Sequence, residues 1–161
     1  MFARLITAFE QLQKEYDFLL LEMGAGATRS AIELRVAIDE IFVISTTEPT
    51  SITDAYSMMK FICMRDPDKT LNLVSNRVPK NEGNQAVTRL QFAMSKFMLK
   101  ETAILGTLPE DPAVHKSVLR QKPYLLLYPN APISKGIIEL ATIYLQKESG
   151  IVGKRESGFL G

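Results

Sequence analysis

An acidic residue and two glycines follow directly on a run of apolar residues near the start of the chain. Glu22 ends the run that begins at Phe18, and Gly24 and Gly26 come just after it. A short apolar run bounded by turn residues predicts a strand that is buried on both faces. An acid at the carboxyl end of such a strand can act on a metal-bound water, and the glycines let the backbone approach a terminal phosphate. The alternative for the same residues is an ordinary strand-to-helix turn.

Three further polar stretches are predicted to follow strands in the same way. In chain order they are Thr46–Ser51, then Ser75–Val78 with Asn76 and Arg77, then Leu108–Asp111 with Pro109. Open sheets of parallel strands bind ligands outside the carboxyl ends of their strands. We therefore expect all of these stretches to share one ligand-binding edge with Glu22.

The elements that must position these residues alternate along the chain. Apolar runs predict strands at Phe18–Glu22, Glu40–Ser45, Leu71–Ser75 and Ala103–Gly106. Amphipathic spacing predicts helices over 2–14 and 31–36, from Ser51 onward, along Val87–Met98, after Asp111 and along Ile137–Leu145. The segment Tyr124–Tyr128 is predicted to be a short strand or a packed loop. This alternation predicts an α/β fold, a mostly parallel sheet with helices on both faces.

Two helix starts are predicted from capping residues. Ser51 begins one helix with Asp54 in a near capping-box arrangement. Asp111 caps the other and is followed by proline at the first helical position. The apolar residues of that second helix, which we expect to face inward, are Val114, Val118 and Leu119.

Composition limits the classes of function. The 161 residues carry a net charge of +1, which argues against nucleic-acid binding driven by bulk charge, and we expect no nucleic-acid partner. The single cysteine, Cys63, excludes an internal disulfide and is predicted to pack in the core. The single histidine, His115, has no second histidine beside which to bind a metal, so we predict a surface residue and no metal site.

The order of these stretches resembles the MinD/ParA group of P-loop ATPases over roughly residues 1–147. The ten residues from Thr47 to Tyr56 most resemble the flagellar-placement branch, FlhG or YlxH. The resemblance implies a P-loop NTPase fold and a location in the bacterial cytoplasm. It also implies ATP and magnesium as cofactors, and an ATP-closed dimer that binds the inner membrane and partner proteins.

The resemblance also assigns roles to the residues described above. The family's Asp-x-Gly-Ala-Gly segment resembles Glu22–Gly26, where the acid assists magnesium and water, and where Gly24 and Gly26 sense the third phosphate. Glutamate in place of aspartate moves the carboxylate by one methylene, so the catalytic role of Glu22 is the least supported of these assignments.

Two further loops of the family contact adenine. Its Asn-Arg pair resembles Asn76-Arg77, and asparagine can donate to and accept from an adenine edge. Its Ile-Pro-x-Asp loop resembles Leu108–Asp111, which places Pro109 and Asp111 in the nucleotide site. A proline turn and a helix cap would also explain these last two residues.

The family's Walker A loop has no counterpart in these residues. No Gly-x-x-x-x-Gly-Lys-Ser/Thr sequence occurs, so no such lysine neutralises the β- and γ-phosphates. We therefore expect a truncated relative that does not hydrolyse ATP alone. The family's P-loop strand lies between the strands resembling Phe18–Glu22 and Glu40–Ser45. Without it, we predict that Phe18–Glu22 pairs directly with Ile41–Ser45.

The tail after residue 147 is predicted to be a separate segment. Ile151, Val152, Phe159 and Leu160 accompany two basic residues, as in a weak amphipathic membrane-binding segment, but glycines disfavour a helix there. A disordered end is the alternative.

Two functions remain open from sequence. The first is a flagellar-placement protein of the MinD/ParA type that lacks its Walker A half. The second is a non-catalytic binding module. Expected partners are a second copy or a MinD-like relative in a dimer, and flagellar assembly proteins, with weak peripheral contact to the membrane.

Overall fold

The computed structural model describes residues 2–24, 29–80 and 82–157. The helices are α1 (Phe2–Leu12), α2 (Arg29–Ala37), α3 (Pro49–Cys63), α4 (Gln85–Met98), α5 (Pro112–Leu119), α6 (Tyr124–Leu127) and α7 (Pro132–Ser157). The strands are β1 (Glu40–Ser45), β2 (Thr70–Val78) and β3 (Ala103–Pro109). From β1 to α5, strands and helices alternate as predicted.

The three strands form one parallel sheet in the order β1-β2-β3. Ser45 of β1 lies opposite Ser75 of β2, and Ser75 lies opposite Thr107 of β3. The carboxyl ends of all three strands therefore meet at one edge, as the sequence predicted. The mostly parallel α/β fold is confirmed.

One face of the sheet is covered by α3 and α4. The buried residues of this core are Ile41, Met59, Ile62, Cys63, Leu71, Leu73, Val87, Leu90 and Met94. Burial also raises the pKa of the Cys63 thiol, so that it stays neutral and behaves as a small apolar side chain. The predicted core role of Cys63 is confirmed.

The opposite face is covered by α5, α6 and α7. Its buried residues are Val74, Leu105, Leu108, Ala113 and Ile133. Helices on both faces shield the central strand β2 from water, which explains its near-continuous apolar sequence. On the outer strand β1, Phe42 and Ile44 stay exposed on the face opposite Ile41 and Val43.

The predicted inward face of α5 is only partly correct. Val114 packs against the core, but Val118 and Leu119 are exposed. Ala113 and Ser117 are buried instead, one helical turn apart. The cap at Asp111 fixes where this short helix starts and hence which side faces the sheet.

The predicted strand at Phe18–Glu22 is wrong. These residues form no strand and no backbone hydrogen bonds to β1, which within the described residues pairs only with β2. Leu20, expected to be buried, is 86% exposed. An aromatic contact takes the place of strand pairing, since the ring of Tyr144 lies 6.1 Å from that of Phe18 and 5.0 Å from that of Phe42 on β1.

Three smaller boundaries also differ from prediction. Tyr124–Leu127 is a short helix rather than a strand or a loop. Ser51 does not cap α3, which begins at Pro49 with Glu48 at its N-cap. Finally, α7 continues past residue 147 to Ser157. Adding residues to an existing helix needs no new nucleation, which helps to offset the low helix propensity of its glycines.

The buried and exposed sides of α4 predict different losses of stability when a large side chain is truncated. Leu90 is 1% exposed in the core, whereas Phe92 is 63% exposed. Leu90→Ala should lower the free energy of unfolding by about 2–5 kcal/mol, because it leaves a cavity, whereas Phe92→Ala should change it by less than about 0.5 kcal/mol. Urea unfolding followed by circular dichroism measures both. Equal losses would contradict the placement of this helix on the sheet.

Candidate functional site

The structure brings together the residues predicted after the second and third core strands. Val78 lies opposite Pro109, and the backbone N–H of Glu110 donates to the carbonyl of Val78 at 3.0 Å. Asn76 and Arg77 therefore lie beside the Pro109–Asp111 turn at the carboxyl edge of the sheet. They belong to β2 itself, which extends beyond the predicted end at Ser75.

Arg77 has a backbone conformation that is unusual for its residue type. Its φ is +54°, in the left-handed region, at the point where the register between β2 and β3 shifts. The Asn76 side-chain oxygen accepts from the Arg77 N–H at 2.9 Å. The Arg77 guanidinium lies 4.0 Å from the Glu110 carboxylate, and both side chains are exposed, so this ion pair adds little stability.

Asp111 joins two helices. Its Oδ1 accepts from the backbone N–H of Ala113 at 2.8 Å, which caps α5 as predicted. Its Oδ2 accepts from the N–H of Ile133 at 3.2 Å, in the first turn of α7. Helix N-termini have unsatisfied N–H groups and favour negative charge, so this carboxylate stabilises both.

The glycine segment is bonded to α2 and not to this pair of turns. Glu22 is exposed, and the carbonyl of Gly24 accepts a hydrogen bond from the buried Arg35 of α2. Gly26 lies outside the described residues. Within the described chain, no hydrogen bond or ion pair joins Glu22 or Gly24 to the β2–β3 turns. Their predicted roles in catalysis and phosphate sensing stay predictions.

Hydroxyls from two of the predicted stretches, Thr46–Ser51 and Ser75–Val78, lie at this edge, although none of them was singled out as a site residue. The Ser51 hydroxyl lies 3.1 Å from that of Ser45 and accepts from the Thr46 N–H at 3.0 Å, closing the β1–α3 connection. The Ser75 hydroxyl is fully buried and has no hydrogen-bond partner in the described structure. The signal in the sequence was a serine at the end of each of two buried strands.

An open cavity of about 510 Å³ lies beside the Asp111 turn. Its lining includes Asp111, Lys116, Leu127, Tyr128 and Asn130, from the start of α5 and the α6–α7 connection. Asn76, Arg77 and Pro109 do not line it. Among the described residues, no cluster of histidine, cysteine, aspartate or glutamate could hold a metal ion.

Comparison with known proteins identifies related chains. No model of a known protein family matches the sequence. The antiactivator FleN of Pseudomonas aeruginosa is 29% identical over 134 residues, covering 82% of this chain and 48% of FleN. The flagellum site-determining protein YlxH of Helicobacter pylori is 26% identical over 140 residues, covering 86% of this chain and 47% of YlxH. The chain thus spans about half the length of these curated relatives.

A solved structure shows the same fold. The septum site-determining protein MinD of Pyrococcus horikoshii, complexed with Mg-ADP, superposes with a TM-score of 0.65 at 20% identity. The match covers 88% of this chain and 55% of that one. The fold is that of a MinD-like α/β P-loop NTPase.

The sequence comparisons are more specific than the shared fold. The sequence is similar to those of the flagellar proteins FleN and YlxH, and the fold is similar to that of MinD.

The double cap at Asp111 predicts a stability loss larger than that of a single cap. Asp111→Ala should lower the free energy of unfolding by about 1–3 kcal/mol, because two helix N-termini lose an acceptor. Glu110→Ala, at the exposed neighbouring position, serves as the control and should change it by less than about 0.5 kcal/mol. Chemical denaturation measures both. A loss at Asp111 no larger than at Glu110 would rule out the capping role.

The unpaired Ser75 hydroxyl predicts the opposite effect. Ser75→Ala should leave stability unchanged or raise it by about 1 kcal/mol, because a buried hydroxyl without a partner is removed. Ser51→Ala should lower stability by about 1 kcal/mol, since its hydroxyl has two partners. Thermal unfolding of the pair tests this. A Ser75→Ala protein that is clearly less stable would mean that its hydroxyl is satisfied.

Proposed function

We propose that this chain acts in the control of flagellar number and placement as a MinD/ParA-type protein, and that these 161 residues do not hydrolyse ATP by themselves. The similarity to FleN, an antiactivator, and to YlxH, a flagellum site-determining protein, supports the first part. The chain spans only about half of each relative, so an activity of the whole relatives is for this chain part of the proposal.

The adjoining turns of β2 and β3 carry this proposal. Asn76 offers an amide and Pro109 an apolar ring at one edge, a combination that fits a flat neutral base such as adenine. We infer that Asn76, Arg77, Pro109 and Asp111 are the adenine side of a nucleotide site. Since both oxygens of Asp111 already accept backbone N–H groups, its contribution would be to hold the turn in place.

The described residues fit the phosphates and magnesium of a nucleotide less well than they fit its adenine. The sequence contains no Walker A lysine or its glycine loop, and the described residues hold no cluster of metal-ligating side chains. Magnesium and the phosphates would therefore depend on groups beyond those described. This is the reason for proposing that hydrolysis does not occur on this chain alone.

A second candidate function is that of a non-catalytic binding module, which docks on a full-length relative or on flagellar assembly proteins. The double use of Asp111 as a structural cap favours it, because that residue then needs no ligand. Gene context separates the candidates. A neighbouring reading frame with a Walker A loop supports a divided ATPase, and its absence supports the binding module.

Association with other copies and with the membrane belongs to the same proposal. We infer a dimer with a second copy or with a MinD-like relative, and weak peripheral membrane contact through the tail after residue 147. Among the described residues, no helix is long and apolar enough to cross a membrane.

Nucleotide titration tests the proposed division of the site. Isothermal calorimetry of the full chain with Mg-ATP should show no binding tighter than about 1 mM, because the phosphates lack their cradle. Adenosine, which has no phosphates, should bind as well as ATP does. Micromolar binding of Mg-ATP would overturn the proposal.

A variant makes this test specific to the adenine side. Any weak adenosine binding, read by chemical-shift changes, should be lost in Asn76→Ala and retained in Asn130→Ala. Shifts that are confined to α2 or α4 would place the ligand elsewhere.

A further inference from the structure

The surface formed by α5 and α6 has a charge pattern unlike that of the rest of the chain. From Pro112 to Ile138 there is no aspartate or glutamate, and this stretch carries Lys116, Arg120, Lys122 and Lys135. Because the whole chain carries only +1, the remaining residues are net negative. Net positive charge is therefore concentrated in this stretch, which includes α5, α6 and the start of α7.

These basic side chains are free to meet a partner. All four are exposed, and none forms an ion pair within the described part of the chain. Like charges that gather on one surface attract an acidic partner and speed its association.

Large apolar side chains lie among them. Leu119 is 72% exposed on α5, and Leu126 is 75% exposed on α6. On α5, Leu119 shares the outward face with Lys116, one turn before it. Isolated exposed leucines are common, but here they stand within a basic region.

A concavity adjoins the same surface. The cavity of about 510 Å³ is lined by Lys116 of α5 and by Leu127 and Tyr128 at the end of α6. Apolar anchors in pockets dominate protein–protein binding energy, and a lysine at the rim suits an acidic neighbour of the anchor. A lipid surface would make no use of such a cavity, and α5 and α6, with eight and four residues, form no long amphipathic helix of the kind that lies in a membrane.

We propose that this α5–α6 surface, Lys116, Leu119, Arg120, Lys122 and Leu126, binds an acidic protein segment that carries apolar anchor residues. The proposal deepens the binding-module function by naming its surface and the chemistry of its partner. It requires no nucleotide, so its failure leaves the nucleotide proposal standing.

A titration of the full ¹⁵N-labelled chain tests it. The probe is a synthetic helical peptide of about 15 residues with glutamates flanking a leucine stripe, and its control has lysine at every glutamate. The acidic peptide should shift the amide signals of α5 and α6, and the basic peptide should not. No shifts, equal shifts with both peptides, or shifts centred on α3 or α4 would overturn the proposal.

Charge-reversal variants make the test specific. Arg120→Glu with Lys122→Glu should weaken binding of the acidic peptide at least about tenfold. The matched pair Lys60→Glu with Arg65→Glu, exposed at the end of α3 and just after it, should change it less than about twofold. Leu119→Ser should weaken binding, and Leu99→Ser, also exposed, should not. Unchanged circular dichroism shows that each variant folds. Equal effects of the two charge pairs would refute the assignment of the surface.

A lipid or a second copy of the chain at this surface would give results different from those of an acidic protein segment. In a co-sedimentation assay, vesicles of phosphatidylcholine with about one-third phosphatidylglycerol should not bind the chain at the α5–α6 surface. Vesicle binding that Arg120→Glu with Lys122→Glu abolishes, without peptide binding, would replace the proposal with a lipid site. Self-association that the same variant abolishes would replace it with a contact between copies of the chain.

Discussion

The central strand β2 is the element on which the other parts depend. It pairs in parallel with β1 and β3, and it contributes Leu71 and Leu73 to one core and Val74 to the other. A strand that is buried on both faces and bonded on both edges cannot move without disturbing every layer. The positions of the candidate site at its carboxyl end follow from this constraint.

The same strand has one polar residue that must be satisfied. Asn72 is fully buried, donates to Glu40 at 2.6 Å and accepts from Lys147 of α7 at 3.2 Å. A buried amide is costly without partners, so this network ties β1, β2 and α7 together at the amino end of the sheet. Asp111 joins α5 to α7 at the other end. Long-range polar contacts thus hold the helical layer at both ends.

Sequence reasoning succeeded where burial dictates residue type. The strands at Glu40–Ser45, 71–75 and 103–106 were predicted from short apolar runs bounded by turn residues, and these runs supply much of the core. It failed at Phe18–Glu22, whose apolar run is equally good, because pairing depends on a neighbour at strand distance and not on composition. It failed at Val118 and Leu119 because a helix as short as α5 has its rotation set by its cap. The proximity of Asn76 to Pro109 followed from topology. The left-handed backbone conformation of Arg77 did not, because arginine has no preference for that conformation that a sequence would show.

The conformation of Arg77 bears on what this edge of the sheet is for. A non-glycine residue in the left-handed region costs on the order of 1–2 kcal/mol, and glycine would avoid that cost. The cost is tolerated because Ser75 before it and Val78 after it are fixed by pairing with β3. Its salt bridge to Glu110 is exposed and does not compensate. Strain of this kind concentrates at functional sites, where a side chain is kept for what it contacts. A contact of the Arg77 side chain with a ligand or partner, as proposed above, would account for a non-glycine residue at this turn, whereas the stability of the fold does not.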